Sequence, residues 1–197
     1  AAACAPPRSR AQVFRARHKG ELVAVKKLSR ARVAEPASLR AFAAEGVMLA
    51  SLSHAHIVRL VGCCWAVESA SLCLVMALCE LGTLQGAIDA DAPLPWATRR
   101  VPLARDVARA MEYLHSQRPP ILHRDLKPDN VLVAAGWRAK LGDFGGARAE
   151  AEHTMSVVGT PLYAAPELMR HEAYDARCDA WSFGCVPYAL AARAPPH

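Results

Sequence analysis

No apolar run in these 197 residues approaches the ~18 residues that cross a bilayer. The longest, residues 60–67 and 72–79, are strand-sized, so no membrane segment is expected in this chain. The seven cysteines are odd in number and contain no CxxC pair, which makes a disulfide framework a poor reading. Cys4, Cys63, Cys64, Cys73, Cys79, Cys178 and Cys185 fall mostly inside apolar runs, where a free thiol acts as a small hydrophobe. A reducing, cytoplasmic setting is therefore expected. The opening residues 1–7 lack both the charged and the apolar region of a signal peptide. An initiating Met is also missing, so the expectation is a chain that begins inside a longer protein. No internal repeat and no low-complexity linker stands out beyond an alanine bias.

That bias explains the 53% apolar content, because 40 of the residues are alanine. The bulky apolar share is nearer to about a third, ordinary for a folded soluble chain, and disorder or a collagen-like repeat is excluded. Lys plus Arg number 24 against 18 Asp plus Glu, giving +6. The charge is uneven: through Arg32 there are nine basic residues and one acid, net +8, and the remainder is 15 − 17, or −2. A basic front attracts nucleic acid or acidic lipid in some proteins. Here no nucleic-acid-binding motif accompanies it, so solvated strand and loop faces are the better reading and no nucleic-acid partner is expected.

Periodicity divides the chain into a β-rich front and an α-rich back, an α+β arrangement. Residues 13–17 and 21–26 read as two strands joined at His18-Lys19-Gly20. A helix is expected from Pro36 to Ser51, with Leu39, Phe42, Met48, Leu49 and Leu52 on one face. Strand-like runs follow at 57–66 and 72–78, then a break at Gly82-Thr83 and a short helix over 84–90. A longer helix over 99–116 places Val101, Ala104, Val107, Ala108, Met111 and Leu114 together, and Pro119-Pro120 ends it. Two short strands, 131–133 and 139–141, turn at Gly136, and a last helix covers 179–192.

The chemistry concentrates in His123-Arg124-Asp125-Leu126-Lys127-Pro128-Asp129-Asn130 and, 143 − 125 = 18 residues past Asp125, Asp143-Phe144-Gly145. Carboxylates, an amide and a lysine on two loops joined by a hairpin suit a hard divalent cation and a hydroxyl nucleophile. At these residues the sequence resembles the eukaryotic protein kinase family. Val23-Ala24-Val25-Lys26 resembles the family's third strand, and Glu45, 19 residues on, stands where its helix C glutamate is expected. Gly159-Thr160-Pro161-Leu162-Tyr163-Ala164-Ala165-Pro166-Glu167 resembles the end of an activation segment, and Asp179-Ala180-Trp181-Ser182-Phe183-Gly184 the start of helix F.

The resemblance implies a two-lobed kinase-like fold, with an N-lobe over 1–78, a hinge at 79–82 and a truncated, mainly helical C-lobe over 83–197 that ends after helix F. It implies phosphoryl transfer from ATP with Mg²⁺, in which the site positions reactants and neutralises charge. Asp125 is then expected to orient the acceptor hydroxyl and take its proton. Asn130 and Asp143 are expected to hold Mg²⁺, Lys26 to meet the α- and β-phosphates fixed by Glu45, and Lys127 to steady the transferred group. Val13, Ala24, Leu84 and Leu132 are expected around the adenine, with Met76 at the back and Cys79 in the hinge. Leu49, Leu60, His123 and Phe144, anchored by Asp179, match the family's internal stack, although plain core packing accounts for these apolar positions equally well. His54, His56 and His123 are not expected to bind metal.

Lys127, two residues after Asp125, follows the serine/threonine pattern. The stretch 113–121, with Leu60-Val61-Gly62-Cys63-Cys64 and Gly82-Thr83-Leu84, resembles the tyrosine-kinase-like group, whose members are mostly Ser/Thr-specific. The partners implied are ATP and a protein carrying a Ser or Thr acceptor. Arg124 is expected to pair with a phosphate on Thr154 or Ser156, placed there by an upstream kinase or by autophosphorylation. Thr160 fits a structural role beside the catalytic loop. The Gly-rich loop departs from the family, because its three glycines fall on Pro6, Arg8 and Ala11. Either nucleotide binding is weakened, as in a pseudokinase acting as a scaffold or allosteric partner, or the residues before Val13 are not native to the domain. Further departures are Ala77-Leu78 in the hinge and Gly146 after Gly145.

Overall fold

The computed structural model describes residues 11–66, 71–91, 93–149 and 160–196. Its front is a four-stranded antiparallel sheet in the order β1-β2-β4-β3, built from β1 (Ala11–His18), β2 (Glu21–Leu28), β3 (Leu60–Ala66) and β4 (Ser71–Ala77). β1 and β2 form a hairpin through Lys19 and Gly20, both at positive φ, 51° and 86°. Such a two-residue turn matches the right-handed twist of the strands. A short α1 (Arg30–Val33), which no periodicity announces, leads into α2 (Pro36–Ser51).

Pro36 begins α2 where its missing N–H has no partner to lose. Phe42, Glu45, Gly46 and Leu49 form the buried stripe. A Cβ at Gly46 would lie 2.9 Å from Leu74 Cδ2, so the glycine lets α2 approach β4 closely. That approach brings Glu45, a charged residue on an apolar stripe, over the sheet.

The back is mainly helical. α3 (Leu84–Asp89) is capped by Thr83, whose hydroxyl accepts from Gly86 N. A π-helical turn (Trp96–Arg100) runs into α4 (Val101–His115). α4 buries Leu103, Asp106, Val107, Ala110, Met111 and Leu114. Val101 is exposed, and with Ala104 and Ala108 it lines a groove with Trp96, Phe183 and Leu190 instead. The face expected from apolar spacing is therefore rotated, because Asp106 occupies the buried stripe: its carboxylate accepts from Arg138 Nε at 2.8 Å and from Ala139 N at 3.1 Å.

Two-residue strands β5 (Ile121–Leu122) and β8 (Arg148–Ala149) pair across the loops that follow. Between them, β6 (Val131–Ala134) and β7 (Arg138–Leu141) form a hairpin turning at Gly136. α5 (Pro166–Met169) and α6 (Arg177–Ala192) complete the chain. One apolar cluster runs from Leu28, Phe42 and Leu74 through Leu49 and Phe144 to Leu103, Leu114 and Leu190, so the two halves share a core. None of the described helices is long and apolar enough to cross a membrane.

Candidate active site

Residues 123–130 form a loop held from beneath by α6. Asp179, in the first turn of α6 and fully buried, accepts from Arg124 N and His123 N, each at 2.8 Å, and lies 3.0 Å from His115 Nε2. These bonds hold Arg124 at φ 64°, a left-handed conformation costing on the order of 1–3 kcal/mol for such a residue. The His123 ring meets Phe144 edge-on at 5.2 Å. Its Nε2 donates to Gly142 O at 3.1 Å, and because a carbonyl only accepts, the proton sits on Nε2.

Above this floor, Asp125 is gripped at both carboxylate oxygens. Oδ2 accepts from Asn130 Nδ2 at 2.9 Å and pairs with Lys127 Nζ at 3.0 Å; Oδ1 accepts from the Thr160 hydroxyl at 3.2 Å. Lys127 Nζ also donates to Thr160 Oγ1 at 2.5 Å. Thr160 thus bridges the lysine and the carboxylate from the far end of the segment that follows β8. The Asp125 side chain keeps 20% of its surface in water, so the carboxylate is ordered and still reachable.

A second charged group assembles across the two halves. Lys26 Nζ from β2 lies 2.6 Å from Glu45 Oε1 on α2 and 3.0 Å from Asp143 Oδ1 after β7. Asp143 adopts φ 54°, which turns its carboxylate toward the lysine. Burial pushes the Lys26 ammonium toward neutrality, but the two carboxylates outweigh it and hold its pKa up. Burial also raises Glu45, and its pKa stays above the ordinary value despite the lysine. At Asp143 burial again acts upward, yet the lysine wins and the carboxyl is held low, and thus ionised at neutral pH.

Asn130 spends its amide N–H on Asp125, so its carbonyl oxygen is the atom it offers to a cation. The Asp143 side chain is half exposed. Among the described residues no three His, Cys, Asp or Glu side chains group into a metal cage. One carboxylate plus an amide oxygen suits Mg²⁺, which keeps waters and phosphate oxygens in its shell rather than a full set of protein ligands.

The apolar positions are brought together less tightly. Ala24 on β2 stands opposite Met76 on β4, and Leu132 bridges to Thr83. The 81–82 segment is tied to β6 by Leu81 N to Val133 O at 3.0 Å and Val133 N to Gly82 O at 2.8 Å. Leu84, the first residue of α3, is fully buried. Cys79 is buried, which pushes its thiol up to about 11 and keeps it neutral. Val13 stands opposite Lys26 in the β1–β2 register but is 64% exposed. Ala11 is the first residue of β1; Pro6 and Arg8 lie outside the described residues, as do Thr154, Ser156 and Gly159.

Arg124 is 3% exposed, and its guanidinium donates to Gly146 O through Nε at 2.8 Å and to the Tyr174 hydroxyl through Nη1 at 2.7 Å. Tyr174 and Asp106 belong to none of the sequence motifs. For Asp106 the available signal is a lone carboxylate at helical spacing among leucines and alanines; Tyr174 carries none.

The protein kinase domain model matches residues 9–197. The chain belongs to the protein kinase family. It is 37% identical over 190 residues to serine/threonine-protein kinase 36 of Pongo abelii, covering 94% of this chain and 14% of that one. It is 39% identical over 153 residues to serine/threonine-protein kinase TIO of Arabidopsis thaliana, covering 76% and 11%. A further relative is R826 of Acanthamoeba polyphaga mimivirus, provisionally named a serine/threonine-protein kinase/receptor; it is 34% identical over 180 residues, covering 90% and 11%. This kinase-family chain thus spans about a tenth of the length of several curated relatives it matches.

Proposed function

We propose that this kinase domain transfers the γ-phosphate of ATP to Ser or Thr hydroxyls of protein substrates. The observation that carries this reading is the closed group Asp125–Lys127–Thr160–Asn130, tied by the Gly142 N to Asn130 O bond at 2.9 Å to the segment that carries Asp143 of the Lys26–Glu45–Asp143 triad. Asp125, fixed at both oxygens yet solvent-accessible, orients the acceptor hydroxyl and takes its proton. Lys127, already 3.0 Å from that carboxylate, supplies positive charge beside the reacting oxygen. Lys26, held by Glu45, meets the α- and β-phosphates. Asn130 and Asp143 hold Mg²⁺, which when bound neutralises phosphate charge. Val13, Ala24, Leu132, Met76 and Cys79 surround the adenine, with the hinge at 79–82 between lobes at 1–78 and 83–197.

The serine/threonine choice rests on Lys127 and on the printed names of the relatives. The setting proposed is cytoplasmic. Activation through Thr154 or Ser156, by an upstream kinase or by autophosphorylation, displaces the Arg124 bonds to Gly146 and Tyr174 in favour of a phosphate. The test is incorporation of phosphate from Mg·ATP into a Ser/Thr-containing protein, with phosphoamino-acid analysis. Phosphoserine or phosphothreonine is expected. Phosphotyrosine alone, or no product from a chain that melts cooperatively, overturns the proposal.

A second reading, a pseudokinase acting as scaffold or allosteric partner, draws on Ala11 in place of glycine and on the exposed Val13. Thermal melts separate the two. Mg·ATP at about 100 times its dissociation constant stabilises a competent site by about 2.7 kcal/mol, and an unmoved midpoint favours the pseudokinase.

A further inference from the structure

We propose that Cys64 and Cys73 form a cross-strand dithiol, a site of reversible disulfide modification on the outer face of the four-stranded sheet. The register of β3 and β4 sets the two residues directly opposite each other. Residues so paired in an antiparallel ladder lie about 4.5 or 5.5 Å apart at Cα, depending on the hydrogen-bonding position. Both spacings fall inside the ~4.4–6.8 Å window a disulfide requires. Opposed residues also point to the same face.

Which face follows from their neighbours. Lys26, Leu74 and Cys63 form the adjacent row across the sheet, and that row faces α2. Lys26 reaches Glu45 there, and a Cβ at Gly46 would lie 2.9 Å from Leu74 Cδ2 and 3.7 Å from Cys63 Sγ. Strand alternation then sends the next row, Lys27, Cys73 and Cys64, to the opposite face. Cys64 is exposed on edge strand β3, and Cys73 is half-buried beside it. Burial and the neighbouring Cys64 push the Cys73 thiol up, while Lys27 pulls it down.

The remaining described cysteines differ. Cys79, Cys178 and Cys185 are buried, and burial drives the Cys178 thiol up to about 12. Cys63 neighbours Cys64 in sequence but turns toward α2. The co-reactant is a peroxide. The Cys64 thiolate attacks one peroxide oxygen, giving a sulfenic acid and releasing hydroxide, which becomes water on protonation. The Cys73 sulfur then attacks the Cys64 sulfur, the S–S bond forms, and the sulfenic oxygen leaves as a second water. Two thiols are oxidised, one peroxide is reduced, and a dithiol reductant reverses the step. The product fastens edge strand β3 to β4, whose Leu74 and Met76 stand opposite Lys26 and Ala24.

The test treats the dilute full chain with hydrogen peroxide, alkylates it with N-ethylmaleimide under denaturing conditions, and counts adducts by intact mass on the monomer. Of the seven thiols, five are expected to be alkylated after peroxide and seven after dithiothreitol. Cys63→Ser is expected to keep the loss of two adducts together with the loss of two hydrogens that marks a disulfide. Cys64→Ser and Cys73→Ser are each expected to abolish it. Persistence of the disulfide in either of those variants, its loss in Cys63→Ser, or full alkylation of a cooperatively melting wild-type chain overturns the assignment. None of these readouts depends on kinase activity.

Discussion

The loop 123–130 and the strand β1, proposed to meet the acceptor and the nucleotide respectively, are built very differently. Beneath the loop, buried Asp179 accepts two backbone N–H groups, and Asp125 has a partner on each oxygen. On β1, Val13 is 64% exposed and Phe14 49% exposed, and among the described residues the strand pairs with β2 alone, at the edge of the sheet. The floor proposed to handle the acceptor and the metal is thus held in place by the protein's own hydrogen bonds. The roof leaves apolar surface in water, so nucleotide burial has something to gain there. Substitutions in the floor should therefore damage chemistry or folding outright, and substitutions in the roof should weaken nucleotide binding in proportion to area.

The largest effect is expected at Asp125. Asp125→Asn keeps the size and one acceptor oxygen but removes the base, and kcat should fall by about 10³-fold, within the usual range for a general base. Binding of Mg·ATP, followed by the melt, should change little. Retained turnover would falsify a role for this carboxylate in proton transfer and would break the contrast at its strongest point.

Next comes the support of the floor. Asp179→Ala leaves two buried backbone N–H groups and His115 without their acceptor. A loss of about 3 kcal/mol is expected, since an unsatisfied buried donor costs about 1–3 kcal/mol and charged partners cost more. Chemical denaturation checks it. A change below about 1 kcal/mol means the loop holds its left-handed Arg124 without α6, and the floor is less rigid than its bonds suggest.

Lys26 belongs to both halves, so its substitution sharpens the comparison. Lys26→Met should lower kcat/KM by about 10²-fold, the order seen when one electrostatic donor is removed. It should also give stability a distinctive pH dependence. Glu45 already sits above its ordinary 4.5 through burial, and without the lysine it rises further. A carboxyl raised in the folded state contributes stability below its unfolded value, and that contribution is lost as pH rises through the folded value. The variant should therefore lose stability, relative to wild type, as pH climbs from about 4.5 toward 7. Parallel curves for the two proteins would mean that Glu45 is relaxed into water.

Much of this is legible in the sequence, for physical reasons that differ by region. The helix over 36–51 is found to the residue because Pro36 and a clear apolar stripe mark it. The hairpin at Lys19-Gly20 and the turn at Gly136 are written in turn chemistry. Lys26, Glu45, Asp125, Asn130 and Asp143 stand out as a motif, and the fold does bring Glu45 and Asp143 each within 3.0 Å of the Lys26 ammonium. The buried face of α4 was misplaced because Asp106, polar by type, is solvated internally by Arg138 and the Ala139 amide rather than by water. The strands β5 and β8 escaped because two residues have no period. Tyr174 escaped because its partner, Arg124, lies 50 residues away.

The smallest effect is expected in the roof. Val13→Ala removes two methyl groups from an exposed position, so folding stability should shift by no more than about 0.5 kcal/mol, as for surface changes elsewhere. If Val13 covers the adenine with about one of those two methyl groups, the same truncation removes apolar contact only in the nucleotide complex, costing about 1 kcal/mol of binding at about 0.8 kcal/mol per buried methylene. KM for ATP should then rise about fivefold with kcat unchanged, the signature of uniform binding lost. Equal KM values place Val13 outside the nucleotide contact and leave the roof to Ala24, Met76 and Leu132. A fall in kcat instead would show that β1 positions the phosphates as well as the base, and the division of labour between floor and roof would have to be redrawn.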